Sequence, residues 1–459
     1  MKQNARGLFN RLISTRQFLF SRPSAPLEGH PHRLSSLPAS DPLIQAFPDI
    51  LVGQAFATAA LEKAADWDTF GAMAMYIEPG PEQADDPGAL PGARLALARV
   101  LAQIIRGGDG IWGVLDPHHL GCFLPGDSVA GLLESARGIQ HTLSEDSGPS
   151  VTVGAAVYPT VDFDRDDILS NAFKALDHAE FFGPGSRVAF DAVSLNISGD
   201  KRYDAGDIEG AAEEYRKGLL LDPDNVNLHN SLGVCYGVMG EFDKALSEFA
   251  AATRLNDREV MAVYNTGLIH ILRKEMEEGK VHLEKAETID NGVFEVALQL
   301  GRVCLEGGDL QKSDEYLQKA RALNPQSTTV YFFLGECFSA MKREKQAVSA
   351  YQNAIKIDPY NAAALSALGW LYHQRNENRD IARLFCEQSV KIAPDNPLFC
   401  FRLGRLCLAH GRMEEAVEAL RAAARLGCNV DGDLEEIRRL TTAADSIPEL
   451  RSAEAENRG

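Results

Sequence analysis

No apolar run in this sequence approaches the ~20 residues that a membrane-spanning helix requires, so no transmembrane segment is expected. No C-x-x-C occurs either. Eight cysteines stand singly at 122, 235, 304, 337, 386, 400, 407 and 428, whereas zinc sites want close-spaced ligand pairs. They read as buried free thiols in a reducing cytosol, which places the chain in the cytoplasm and predicts no metal. Positive charge is in deficit: 46 Lys and Arg face 65 Asp and Glu, a formal net charge of −19. Nucleic acid is therefore excluded as a partner, because a phosphate-binding surface concentrates Lys and Arg. A secretory signal is not expected, since no continuous apolar stretch or small-residue cleavage site opens the chain.

Residues 1–22 run against the overall charge. They carry Lys2, Arg6, Arg11, Arg16 and Arg22 and no acid, with Leu8, Phe9, Leu12, Ile13 and Leu19 at helical spacing. Two readings stay open: an amphipathic helix making weak contact with a membrane surface, or a flexible basic tail. Residues 23–45, rich in Pro, Ser and His, complete a linker.

What the sequence does have is length for two or three domains, 459 residues at 45% hydrophobic and 24% charged, and a strong internal period. Gly199, Gly233, Gly267, Gly301, Gly335, Gly369 and Gly404 follow at 34, 34, 34, 34, 34 and 35 residues. Ala211, Ala245, Gly279, Ser313, Ala347, Ala382 and Ala416 form a second register of small residues. Each unit holds two helical patterns joined by a turn. Small residues belong where two helices cross closely, and Tyr215, Phe249, Leu283, Leu317, Tyr351 and Leu420 fill the space beside them. Pro223, Pro325, Pro359 and Pro394 fall near unit ends, where proline cannot continue a helix.

This pattern resembles the tetratricopeptide repeat over seven units, residues 192–430, although the early tryptophan of that repeat is absent. "GDLEEIRRLTTAAD" (432–445) reads as the polar capping helix of such a stack, within a last segment 431–459 that ends in a disordered tail. The resemblance implies an all-α superhelical solenoid whose first helices line a groove for protein segments. Groove positions are then Tyr264, Leu298, Phe332 and Phe401, with Arg302, Glu336, Trp370 and Arg405 one turn further on. The lining is aromatic and apolar with a few charges, which suits a helical or extended apolar segment better than an acidic tail.

Between 46 and 191 strands and helices alternate, the mark of an α/β domain. "FGAMAMYI" (70–77), "SVTVGAAVYP" (150–159) and "RVAF" (187–190) read as strands, and "GIWGVL" and "LGCFLP" as a hairpin around a four-residue turn. "ARLALARVLAQII" (93–105), "SVAGLLESARGIQHTL" (128–143) and "DDILSNAFKALDHAEFF" (166–182) read as helices.

The order resembles the GGDEF domain of bacterial diguanylate cyclases, a nucleotide-cyclase-type fold. "DILVG" (49–53), "VTVGAAVYP" (151–159) and "LSNAFKALDHAEFFGPGSRVAF" (169–190) carry the likeness. It places the signature phenylalanine five residues before Pro125, at Leu120, so the signature position reads Asp116-Pro117-His118-His119-Leu120. Gly107-Gly108-Asp109 lies upstream of it. Pro117 has no N–H to offer, and His118 and His119 are poor ligands for Mg²⁺. The resemblance also puts Tyr76 where the family has a metal-binding aspartate, with Glu78 keeping an acid nearby, and Glu180 where it has a phosphate-facing lysine. The domain is therefore expected to be degenerate, with no catalytic residues, no metal and no enzymatic activity.

Arg106 and Asp109 match the family's R-x-x-D inhibitory site, which implies cyclic di-GMP as a ligand. The same residues also read as a helix end with a last-turn cation. His118 and His119 with Cys122 read either as a transition-metal pair or as the polar residues of a turn. Three functions follow from these residues. They are an interaction scaffold in bacterial signalling, a cyclic di-GMP receptor that regulates the repeats through Arg106 and Asp109, and, least supported, an active cyclase. "RVAFDAVSLNISG" (187–199) leaves almost no linker, so the two parts are expected to pack as one rigid body.

Overall fold

The structure is a computed structural model and describes residues 37–445 apart from 39, 80–87, 106–108, 127 and 145–148. The basic segment 1–22, most of the linker, Arg106 with its two glycines, and the tail beyond 445 lie outside the described residues.

Two helices, α1 (Pro42–Ala46) and α2 (Gln54–Ala64), precede a βαββαβ series. Its members are β1 (Phe70–Glu78), α3 (Ala89–Ile105), β2 (Ile111–Asp116), β3 (His119–Pro125), α4 (Val129–Ser144) and β4 (Ser150–Tyr158). Helix α5 (Ile168–Glu180) and a short β5 (Arg187–Ala189) follow. The sheet order is β2-β3-β1-β4-β5, antiparallel except for β5, which runs parallel to β4.

Alternation along β1 divides two cores. Met73, Met75 and Ile77 face α3 and α4 on one side, while Phe70, Ala72 and Ala74 face α2 and α5 on the other. Gly154 in β4 has a physical cause: a Cβ there would lie 2.1 Å from the Ala172 carbonyl oxygen and the Leu176 nitrogen of α5. The outer edge of β2 is covered. Val114 N–H donates to Leu51 at 3.0 Å and Gly53 N–H to the Val114 carbonyl at 2.8 Å, which blunts an otherwise sticky edge.

Fourteen helices then alternate with short turns. They are α6 (Ala192–Asp204), α7 (Ile208–Leu221), α8 (Val226–Met239), α9 (Phe242–Leu255), α10 (Val260–Leu272), α11 (Met276–Ile289) and α12 (Phe294–Glu306). After them come α13 (Leu310–Leu323), α14 (Thr328–Ala340), α15 (Glu344–Ile357), α16 (Ala362–Gln374), α17 (Arg379–Ile392), α18 (Pro397–Ala409) and α19 (Met413–Arg425). A last helix, α20 (Asp431–Asp445), buries Val430 and Ile437 beside Leu420. Several first helices open on a side-chain cap, with Asn225, Ser327 and Asn361 accepting from backbone N–H groups of the first turn.

The glycine register is explained by the ring or branched chain sixteen residues on. A Cβ on Gly199, Gly233 or Gly335 would lie 2.3, 2.5 or 2.3 Å from the ring of Tyr215, Phe249 or Tyr351. On Gly301 and Gly404 it would meet Leu317 and Leu420 at 2.7 and 2.6 Å. A further register recurs in the turns, seven residues after each glycine: Gly206, Gly240, Lys274, Gly308, Lys342, Asn376 and Gly411 all have positive φ. The single 35-residue spacing comes from one extra turn residue between α16 and α17, where Asn378 is also left-handed at φ 45.

The chain divides into two compact units, one running to Arg273 and the other from Lys274. This division falls inside the repeats. The cause lies in the first unit, where α5 packs on α6 and α7. Lys174 Nζ is 2.8 Å from Glu214, whose side chain is 7% exposed, and Lys201 Nζ is 2.7 Å from Asp177. His178 Nδ1 lies 3.3 Å from Ser194 Oγ at the start of α6, where Asp191 caps the helix. The sheet and the first repeats therefore share one packed unit.

Candidate functional site

Two places concentrate the residues singled out in the sequence: the hairpin tip of the sheet and the first helices of the repeats.

The four residues 116–119 do form the tip between β2 and β3. Asp116 braces the turn from within. Its Oδ1 accepts from the backbone N–H of His118 at 2.8 Å and of His119 at 3.1 Å, and both its oxygens lie 2.8 Å from His119 Nδ1. Arg94, 3% exposed, donates to the Pro117 carbonyl and to Asp41. Tyr76 covers the other side, its ring 6.1 Å from that of His118 and 5.2 Å from that of His119. Burial pushes the Tyr76 hydroxyl pKa up, with Glu78, Glu180 and Asp116 adding to it, and burial holds His118 below the usual imidazole range.

The tip is thus filled by its own side chains. A backbone cradle for phosphate needs N–H groups aimed outward, and here two of them are turned onto Asp116. Among the described residues no group of three or more His, Cys, Asp or Glu is placed to hold a metal ion. Asp109 is exposed in a bend before β2.

On the repeats, the second unit brings several of the singled-out residues onto successive first helices. Leu298 (α12), Phe332 (α14), Trp370 (α16) and Phe401 (α18) are all half-buried. Phe332 packs against Phe333 at 5.3 Å and Tyr351 at 6.2 Å between ring centres, and Trp370 lies 5.2 Å from His373.

The charged positions are each engaged within the chain. Arg302 donates to Gln299 at 3.2 Å and lays its guanidinium 4.9 Å from the Phe333 ring centre. Glu336 accepts from the Tyr351 hydroxyl at 2.6 Å. Arg405 pairs with Asp433 and lies 3.8 Å from Glu436 on α20.

Tyr264 corrects the sequence reading. It is 1% exposed, because α10 is buried on nearly every side and its residue three before Gly267 turns inward. Phe333, Asp433 and Glu436 were missed. Nothing at the level of residue spacing marks them, since their part depends on which arginine reaches them.

Family models of the tetratricopeptide repeat match residues 199–240, 237–279, 328–361 and 366–427. Among curated proteins, anaphase-promoting complex subunit 3 of Schizosaccharomyces pombe is 25% identical over 218 residues, covering 48% of this chain and 32% of that protein. BBSome complex member bbs-4 of Caenorhabditis elegans is 23% identical over 235 residues, covering 50% of each. This chain therefore spans half or less of the length of these relatives. Among solved structures, YrrB, described as a TPR protein with an unusual peptide-binding site, is 23% identical with a TM-score of 0.36, covering 41% of this chain and 96% of that one. The family-model matches, with the glycine–ring packing and the left-handed turns that recur through the helix pairs, identify tetratricopeptide repeats over residues 199–279, 328–361 and 366–427.

Proposed function

We propose that this chain is a non-catalytic interaction scaffold whose repeats receive an apolar protein segment along α12, α14, α16 and α18. The observation that carries this reading is the row Leu298, Phe332, Trp370 and Phe401, half-buried on successive first helices while the charges beside it are spent on internal partners. An apolar segment gains from that row without having to displace an ion pair. The α/β domain is read as a degenerate GGDEF-like domain of a bacterial signalling protein. The βαββαβ order and the tip at 116–119, closed by Asp116 and Pro117, support that assignment.

Cross-linking and pull-down with the full chain test the scaffold. A partner bound by the wild type should cross-link to α14 and α16, and Phe332→Ala with Trp370→Ala should weaken it by at least about tenfold, the usual effect of removing two buried aromatic anchors. Retention of binding by that double variant would place the partner elsewhere. Incubation with GTP and Mg²⁺ should give no cyclic dinucleotide, and formation of one would overturn the non-catalytic reading.

A second reading rests on Asp109, exposed just before β2, which leaves its carboxylate open to a guanine edge. With Arg106 it would make the chain a cyclic di-GMP receptor. Calorimetry decides this: heat with the wild type that vanishes in Arg106→Ala favours the receptor, and silence from both leaves the scaffold alone.

A further inference from the structure

We propose that the free edge of β5 pairs with the same edge of a second copy of this chain, joining two sheets across a two-fold axis. The proposal is independent of what the repeats bind.

The two edges of the sheet are treated differently. Backbone bonds from residues 51–53 cover β2, at one end of the order β2-β3-β1-β4-β5. At the other end, among the described residues, no strand lies beyond β5. Val153 N–H donates to the Ser186 carbonyl at 2.9 Å and Phe190 N–H to the Ala155 carbonyl at 2.7 Å, with Val153 in register with Arg187 and Ala155 with Ala189. Residues 186, 188 and 190 therefore spend backbone groups on β4, and Arg187 and Ala189 turn theirs away from the sheet. Those two N–H and two C=O groups are what an edge strand offers to another chain.

The edge lies in apolar surroundings. A cleft of about 790 Å³ is lined by residues 186–191, by Val129 at the start of α4, and by His178 and Phe182. Phe182 is 69% exposed, Phe181 beside it 57% and Val129 42%. Covering side chains of that size and exposure is favourable.

Charge selects a second copy as the occupant. Arg187 is exposed and donates to Gln140 Oε1 at 2.8 Å, a neutral partner, so its charge is unpaired among the described residues. Asp191, two residues past Ala189, is extended at φ −151 and ψ −175, and its side chain is 48% exposed. Its Oδ1 caps α6 and meets His178, which leaves Oδ2 for an incoming cation. The edge thus has its cation at one end and its anion at the other. Two such edges laid antiparallel bring Arg187 of each copy towards Asp191 of the other, whereas parallel edges would set like charges side by side. Antiparallel pairing centred on Val188 joins Arg187 of one copy to Ala189 of the other. It closes four backbone bonds and sets the two Val188 side chains together as a β-branched pair. One patch serves both copies, so the pairing closes and leaves neither edge free. The interface is small, which gives a weak dimer with a dissociation constant on the order of 10–100 μM.

Sedimentation equilibrium of the full chain from about 1 μM to about 500 μM tests this. A monomer–dimer equilibrium is expected, and a monomer throughout overturns the proposal. Arg187→Glu sets glutamate against Asp191 of the second copy at both ends and should raise the dissociation constant at least about tenfold. Added salt should weaken the wild-type dimer and strengthen that of the variant, by screening attraction in one and repulsion in the other. The same response in both overturns the charge pairing. Ala189→Pro removes two of the four edge bonds without touching β4, since the lost N–H faces outward. It should leave a monomer at these concentrations, and an undiminished dimer overturns the role of β5. If Ala189→Pro does not fold, hydrogen exchange in the wild type decides. The Arg187 and Ala189 amides should exchange more slowly as concentration rises, and concentration-independent exchange there, beside a dimer seen by sedimentation, overturns the proposal.

Discussion

Gly335 and Gly92 both sit in helices, yet their surroundings give them opposite values. At Gly335 a Cβ would stand 2.3 Å from the Tyr351 ring, which is 2% exposed and tied to Glu336 by its hydroxyl, so neither ring nor backbone can give way. At Gly92, exposed on α3, a Cβ meets nothing within 4 Å. Gly335→Ala should therefore cost about 1–3 kcal/mol through overpacking. Gly92→Ala should add up to about 1 kcal/mol by restricting the unfolded chain and improving helix propensity. Urea denaturation of the two variants checks both signs, and a neutral Gly335→Ala would mean that the glycine register does not reflect close packing. This register was legible because it repeats: one glycine says little, while seven at one spacing demand a shared cause.

At the scale of elements, periodicity placed most of the sheet domain's strands and helices to within a few residues. "FGAMAMYI" became Phe70–Glu78 and "SVTVGAAVYP" became Ser150–Tyr158. It missed α2, whose inward side is built from Phe56, Ala57, Ala60 and Ala64, because alanines leave a weak apolar signal. It also missed the recurring left-handed turn residue, since Gly, Lys and Asn fill it in different units and share no side-chain chemistry. That position carries its own test. Lys342 holds φ 57 where four of the seven equivalent residues are glycine, and a side chain in that region costs about 1 kcal/mol. Lys342→Gly should raise stability by about 0.5–1 kcal/mol, read as a shift of the urea midpoint. A drop would show that the lysine side chain contributes more than its backbone strain removes.

For the whole molecule, the repeats were readable and their surface was not. Spacing puts Tyr264, Phe332 and Phe401 in one row, but burial depends on the helices on either side, which removes Tyr264 from any exposed face and leaves the others half-covered. Spacing is equally silent on ion pairing, so Arg302, Glu336 and Arg405 looked available until their partners were in place. The same locality governs how the molecule should come apart. Repeats touch mainly their neighbours, so cooperativity need not extend along the array, and the contacts divide the chain at Arg273 and Lys274. The three tryptophans separate the two units: Trp67 and Trp112 belong to the first and Trp370 to the second. In Trp370→Phe, tryptophan fluorescence reports the sheet domain with its first repeats. With Trp67→Phe and Trp112→Phe together, it reports the later ones. Urea unfolding should give two distinct midpoints, each with a denaturant slope below that expected for the whole described chain, because the slope scales with the surface exposed in one transition. Coincident curves would instead mean that the repeats transmit cooperativity across residue 273.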